Sequence, residues 1–155
     1  MQWWVHEQYN IGGATLVISW AFWVLFSISL HELAHGWAAI RQGDDTPRET
    51  GHMTANPIVH MGGPSLIMFA LIGVAWGLMP TDPSRYRSGR RGRVVVAAAG
   101  PIMNLLLAAA SLIALVIFAN VAPTDTTLGG RIVTFLYLGG MLNLVLFGLN
   151  LLPVP

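Results

Sequence analysis

The sequence predicts an all-α, polytopic membrane bundle with three spanning helices and one shorter re-entrant or hairpin helical segment. Three observations predict it. Hydrophobic residues make up 54% of the chain and charged residues only 10%, with a mean hydropathy of +0.61, outside the usual range of soluble domains. Apolar runs at residues 14–40, 93–119 and 131–152 each reach the length of about 20 residues that a helix needs to cross the bilayer core. There is no lysine, and seven of the eight arginines fall between Arg41 and Arg93. Such regional bias reports membrane orientation and does not mark a nucleic-acid site.

The elements follow in order. The opening MQWWVHEQYNIGG has no basic n-region of a cleaved signal, and Trp3 and Trp4 read as an interfacial anchor. The run 14–40 is the first span. A connection rich in Pro, Gly, Asp and Thr leads to the run 62–79, too short for an ordinary span and bounded by Gly62-Gly63-Pro64 and Met79-Pro80. The connection PTDPSRYRSGRRG precedes the second span, and NVAPTDTTLGG separates it from the third. Small residues cluster in AAAGPIMN (97–104) and LGGMLN (138–143), where they let helix backbones approach closely in lipid. No internal repeat or linker divides the chain, so residues 1–155 read as a single bundle. With no cysteine, thiolate chemistry is excluded, and any metal must use His, Asp or Glu.

Within the first span, His31, Glu32 and His35 spell H-E-x-x-H. Positions i and i+4 of a helix share one face with Cβ atoms about 6 Å apart, so the two imidazoles can hold one Zn²⁺ at N–Zn distances of about 2.0–2.1 Å. Glu32, one residue along, is angled toward a zinc-bound water. Zinc brings that water's pKa to about 7, and the carboxylate can pass its proton to a leaving amine. The pattern points to hydrolysis of peptide bonds by metal-activated water. The competing reading, three ordinary polar residues, meets the expense of roughly 2.5–3.5 kcal/mol for an ionisable group at mid-bilayer, which is why such groups usually mark function.

The chain resembles the site-2 protease family of intramembrane zinc metalloproteases, in its compact bacterial and archaeal branch. His31-Glu32-Leu33-Ala34-His35 looks like the family's zinc motif, and GHMTANPIVH at 51–60 resembles its G-x-x-T-x-N-P-x-x-H loop. AGPIMN at 99–104 is similar to the A-G-P-x-x-N of a later transmembrane helix, and NLLPVP at 150–155 to the start of N-x-x-P-x-x-x-L-D-G. The resemblance implies a zinc-dependent endopeptidase that cuts transmembrane segments of membrane proteins in regulated intramembrane proteolysis. It implies His31 and His35 as ligands, Glu32 as general acid/base and Asn150 as a substrate or oxyanion contact. Asn104 is a second substrate-contact candidate, its alternative being an interhelical hydrogen bond, the role expected of Asn143. His52 and His60 read as loop histidines. The family's third ligand, the Asp of L-D-G, would stand three residues beyond Pro155, so the chain reads as a core incomplete at its C-terminus.

If the N-x-x-P motif and H-E-x-x-H meet at one zinc, the first and last helices run in the same direction. The arginine-rich connection then places the ends of 41–93 together on the cytoplasmic side, and 62–79 must be re-entrant, its broken backbone buried in protein or facing water. The expected setting is a prokaryotic cytoplasmic membrane with the active site toward the cytoplasmic face. Expected partners are the lipid bilayer and a transmembrane substrate that unwinds and binds as an extended strand, with no nucleic acid. The alternative is a non-catalytic protein of the same fold that binds transmembrane helices; a transporter is weaker, since a single ionisable cluster makes a poor ion pathway.

Overall fold

The computed structural model describes residues 3–152. Three long helices carry the bundle: α1 (Trp4–Arg41), α4 (Gly89–Val121) and α5 (Thr127–Leu151), with the one-turn α2 (Thr46–Glu49) and the 16-residue α3 (Pro57–Ile72) between α1 and α4. No strand occurs among the described residues. The three long helices are long and apolar enough to cross a membrane. Their outer faces leave Ile113, Val116, Ile117, Val145 and Leu149 exposed, a surface suited to lipid.

Helix α1 is two pieces. Gly12 and Gly13 leave the helical conformation, and Gly13 has φ 62° and ψ −161°, a region open to glycine and closed to other residues. The break turns Trp4–Ile11 away from the long span and toward α3. There the Nε1–H groups of Trp3 and Trp4 both donate to the Ala70 carbonyl, at 2.9 and 3.1 Å, and the Trp4 ring lies 5.5 Å from that of Phe69. The two tryptophans expected to anchor the chain at an interface hold the end of α3.

Helices α1 and α5 run in parallel, as expected. Trp23 Nε1–H donates to Phe135 O at 2.8 Å, and its ring lies where a Cβ on Gly139 would collide with it. Two turns on, His31 shares a cavity with Leu146 and Asn150. Helix α4 runs antiparallel to both: Leu112 packs on Gly140, and Asn104 meets His31. The small-residue clusters thus mark the closest helix contacts.

The segment expected at 62–79 is a hairpin of one helix and a non-helical return, displaced toward the N-terminus. Asn56 caps α3 by accepting from Ile58 N at 3.0 Å, Pro57 supplies the first turn, and Gly73 ends the helix at φ 76°. These are the ordinary start and stop residues of helices, and they move the helix to Pro57–Ile72. From Gly73 to Asp82 the chain returns without regular secondary structure. Ser65 Oγ accepts from Trp76 N at 2.8 Å and donates to Trp76 O at 2.7 Å, and Leu78 N donates to His60 O at 2.9 Å. The hairpin enters as helix and leaves as non-helical chain, whose Trp76 N and O and Leu78 N are bonded within the protein, as backbone at membrane depth requires.

The exit of the hairpin is tied to the end of α1. Arg87 N donates to Gln42 O at 2.8 Å, and Asp82 N donates to Asp44 Oδ2 at 2.7 Å. The other Asp44 oxygen accepts from Thr46 N and Thr46 Oγ1, at 3.0 and 2.5 Å. Burial pushes the Asp44 carboxyl up, but the hydrogen bonds from Thr46 and Asp82, with the nearby Arg85 charge, outweigh it and hold the group below its ordinary 3.8. A depressed carboxyl stabilises the fold above its unfolded pKa and loses that contribution as pH falls through the folded value. Asp44→Ala should therefore lower stability at neutral pH by about 1–3 kcal/mol. In thermal unfolding of the detergent-solubilised protein, the gap from the unsubstituted protein should stay constant above about pH 5 and close at strongly acid pH.

Candidate active site

The site is built where α1 faces α4. His31 and His35, one turn apart on α1, are both buried or nearly so. His31 Nδ1 lies 2.7 Å from Asn104 Oδ1, and His35 Nδ1 lies 2.7 Å from the Val96 carbonyl. A carbonyl oxygen can only accept, so each Nδ1 carries the proton and donates it to α4. Each neutral ring is left with a bare lone pair on Nε2. The two Nε2 atoms face one another at 3.0 Å.

Two lone pairs at that separation repel unless a cation lies between them. Tetrahedral zinc with Zn–N bonds of about 2.0–2.1 Å spans its nitrogen ligands at about 3.3–3.4 Å, so the rings need to part by only a few tenths of an ångström. The niche beside them belongs to Gly100, where a Cβ would run into the Nε2 atoms of both histidines. Pro101 follows inside α4. Lacking an N–H, it releases the Ala97 carbonyl and loosens the turn that presents Val96 O to His35. The residues present therefore fit a divalent metal. Among the described residues, no cluster of three or more His, Cys, Asp or Glu forms, and Pro153 to Pro155, which carry the end of the N-x-x-P stretch, lie outside the described residues.

Glu32 is buried yet accepts no hydrogen bond from the described residues. Its carboxylate borders two cavities. One, of about 180 Å³, is lined by His31, Glu32, Ala75, Trp76, Gly77, Asn104 and Asn150 among others. The second, of about 400 Å³, opens toward the arginine-rich end past His35, Thr81, Tyr86 and Arg93. Gly77 leaves room for the carboxylate: a Cβ there would come within 2.5 Å of Glu32 Oε1.

The structure thus gathers His31, Glu32, His35, Asn104 and Asn150 in one place. Asn104 Oδ1 is committed to His31, and its buried Nδ2 has no partner among the described residues. Asn150 lines the smaller cavity while its amide donates to Leu146 O in its own helix. Asn143 donates within α5 to Gly139 O, not across to another helix. His60 is not a loop histidine: it is buried in α3 and bonds Thr54 O at 2.6 Å, because the Asn56-Pro57 start draws it into the helix. Sequence reasoning missed the Val96 carbonyl, which no side chain signals, and the 73–82 wall. It noted Gly100 only as a packing residue.

The sequence model of Peptidase family M50 matches residues 19–155. The chain belongs to peptidase family M50. This is the site-2 protease family that the motifs resemble, and the protein is accordingly an integral membrane protein. Among its relatives, YwhC of Bacillus subtilis is 35% identical over 85% of this chain and 61% of its own length. Rip2 of Mycolicibacterium smegmatis is 33% identical over 94% of this chain and 54% of its own. Both are named as zinc metalloproteases. The chain spans little more than half the length of these relatives. No solved structure matches it.

Asn104→Leu removes the acceptor that orients His31 and should weaken zinc binding by about 10–100-fold, read by competition with a chromophoric chelator. Gly100→Ala should lower affinity at least as much with the fold intact by circular dichroism.

Proposed function

We propose that the chain is the core of a zinc-dependent intramembrane endopeptidase of the site-2 protease type. It hydrolyses peptide bonds in or near transmembrane segments of membrane proteins, in the manner of regulated intramembrane proteolysis. His31 and His35 hold the zinc, and the third ligand is the aspartate that the family resemblance puts beyond Pro155. The setting is a prokaryotic cytoplasmic membrane, with the site toward the cytoplasmic face. The observation that carries this reading is the convergence of two unprotonated Nε2 atoms beside a buried carboxylate with no partner among the described residues.

When bound, zinc supplies Lewis acidity that polarises the scissile carbonyl and makes water nucleophilic near neutral pH. The rest falls to the protein. Glu32 takes the proton of the attacking water at a carboxylate oxygen and delivers it to the leaving amine nitrogen. Asn150, and the free Nδ2–H of Asn104, donate to the substrate backbone or to the charge that develops on its carbonyl oxygen.

The substrate strand binds against residues 74–79. Trp76 and Leu78 turn their bonded backbone groups toward α3. In an extended chain the alternate residues point the other way, so Ala75 and Gly77 present their N–H and C=O groups to the cavity that holds Glu32. That is a short open edge to which an unwound peptide can add. It explains how a transmembrane helix, whose carbonyls are closed in its own hydrogen bonds, comes to offer one to the site.

In proteoliposomes carrying a single-span substrate, Glu32→Gln should keep zinc and lose about 10²–10⁴-fold in cleavage rate, whereas His31→Ala should lose both. Undiminished cleavage by Glu32→Gln removes that residue from the mechanism. Substrate capture without cleavage by the unsubstituted protein would favour a non-catalytic binding protein.

A further inference from the structure

One face of α4 carries the whole α4 side of the site: Asn104 against His31, Gly100 against both Nε2 atoms, Val96 against His35. Arg93 lies three residues before Val96 and seven before Gly100, so it continues that face one turn beyond the histidines. It lines the cavity of about 400 Å³ that also holds Glu32 and His35. Facing it across the cavity are Gly77, Leu78, Met79 and Thr81 of the returning segment, with Pro83 and Tyr86 beyond. Arg93 is the one cation among the residues lining this cavity, and Glu32 the one anion.

Other arginines are engaged elsewhere. Arg48 pairs with Asp45, and Arg85 with Glu49 and Asp82. Arg90 and Arg91 border a separate groove with Val94 and Val95. Arg93 has no ion-pair partner among the described residues, although it stands at the open mouth of the site.

We propose that Arg93 is a specificity-determining residue that selects substrates with an acidic side chain close to the scissile bond, on the side leaving the bilayer through the larger cavity. This rests on the proteolytic reading above. The spacing sets the position. Seven helical residues separate Arg93 from Gly100, an axial distance of about 10 Å, and an extended peptide advances about 3.3 Å per residue. The acidic side chain therefore belongs two to three residues from the bond cut. A substrate strand lying on residues 74–79 leads into the same cavity, since Gly77, Leu78 and Met79 form its wall.

The test is a charge swap with the purified protein in proteoliposomes. A single-span substrate carries Asp, Asn or Lys in turn at each position within four residues of the cut. The unsubstituted protein should cleave the Asp substrate with a kcat/KM about five-fold above the Lys substrate, the scale of a partly exposed ion pair, at one position two or three residues away. Arg93→Glu should reverse that order, Arg93→Gln should level it, and Arg90→Glu and Arg91→Glu should leave it alone. Cleavage with no charge preference at any position overturns the proposal. So does a preference that survives Arg93→Glu, or an equal fall for all substrates, which would make Arg93 a lipid-headgroup contact. Failure of the full-length, zinc-loaded protein to cut any substrate overturns the proteolytic reading itself, and the assignment of Arg93 with it.

Discussion

Everything at the centre of this molecule depends on two imidazole protons being handed to α4. With His31 bound to Asn104 and His35 to the Val96 carbonyl, each ring is fixed in rotation and in tautomer, and both lone pairs aim at one point. Either ring turned over would place an N–H where a lone pair is needed. The neighbouring features serve that arrangement. Gly100 keeps the space beside the nitrogens clear, Pro101 loosens the turn that offers Val96 O, and the close contacts of Gly139 and Gly140 hold α5 tightly enough to bring Asn150 to the same cavity. Partners of this kind outside the metal's own ligands set ligand orientation and basicity.

The second constraint is the ban on unpaired backbone in lipid. The hairpin of α3 and residues 73–82 meets that ban by bonding Trp76 and Leu78 to α3 through Ser65 and His60. Asp44 fastens its exit and the two N-terminal indoles cap its tip. The returning segment is thus held at three points along its length.

Much of this was legible in the residues. Hydropathy runs gave the three spans, because each must cover the bilayer with apolar side chains. The arginine bias and the Gly and Pro borders gave the hairpin, because a fourth crossing would have split the arginines. The i, i+4 spacing of His31 and His35 gave the pair of facing imidazoles. The misses share a cause: they depend on atoms or partners far away in sequence. Asn104 and His31 are 73 residues apart, and nothing in AGPIMN says which histidine it faces. Val96 acts through its carbonyl, which every residue possesses. The return 73–82 reads as apolar sequence, and Gly73 in the left-handed conformation is what ends the helix there.

The paired indoles at the start of the chain have a consequence for biogenesis. Trp3 and Trp4 close on a carbonyl 67 and 66 residues downstream, so they are synthesised long before their acceptor exists. Until Ala70 arrives, the amino-terminal arm has nothing to grip, and the hinge at Gly12 and Gly13 leaves it free to swing. Docking of that arm therefore waits for α3, and the two pieces of α1 become fixed relative to one another only once the hairpin is in place.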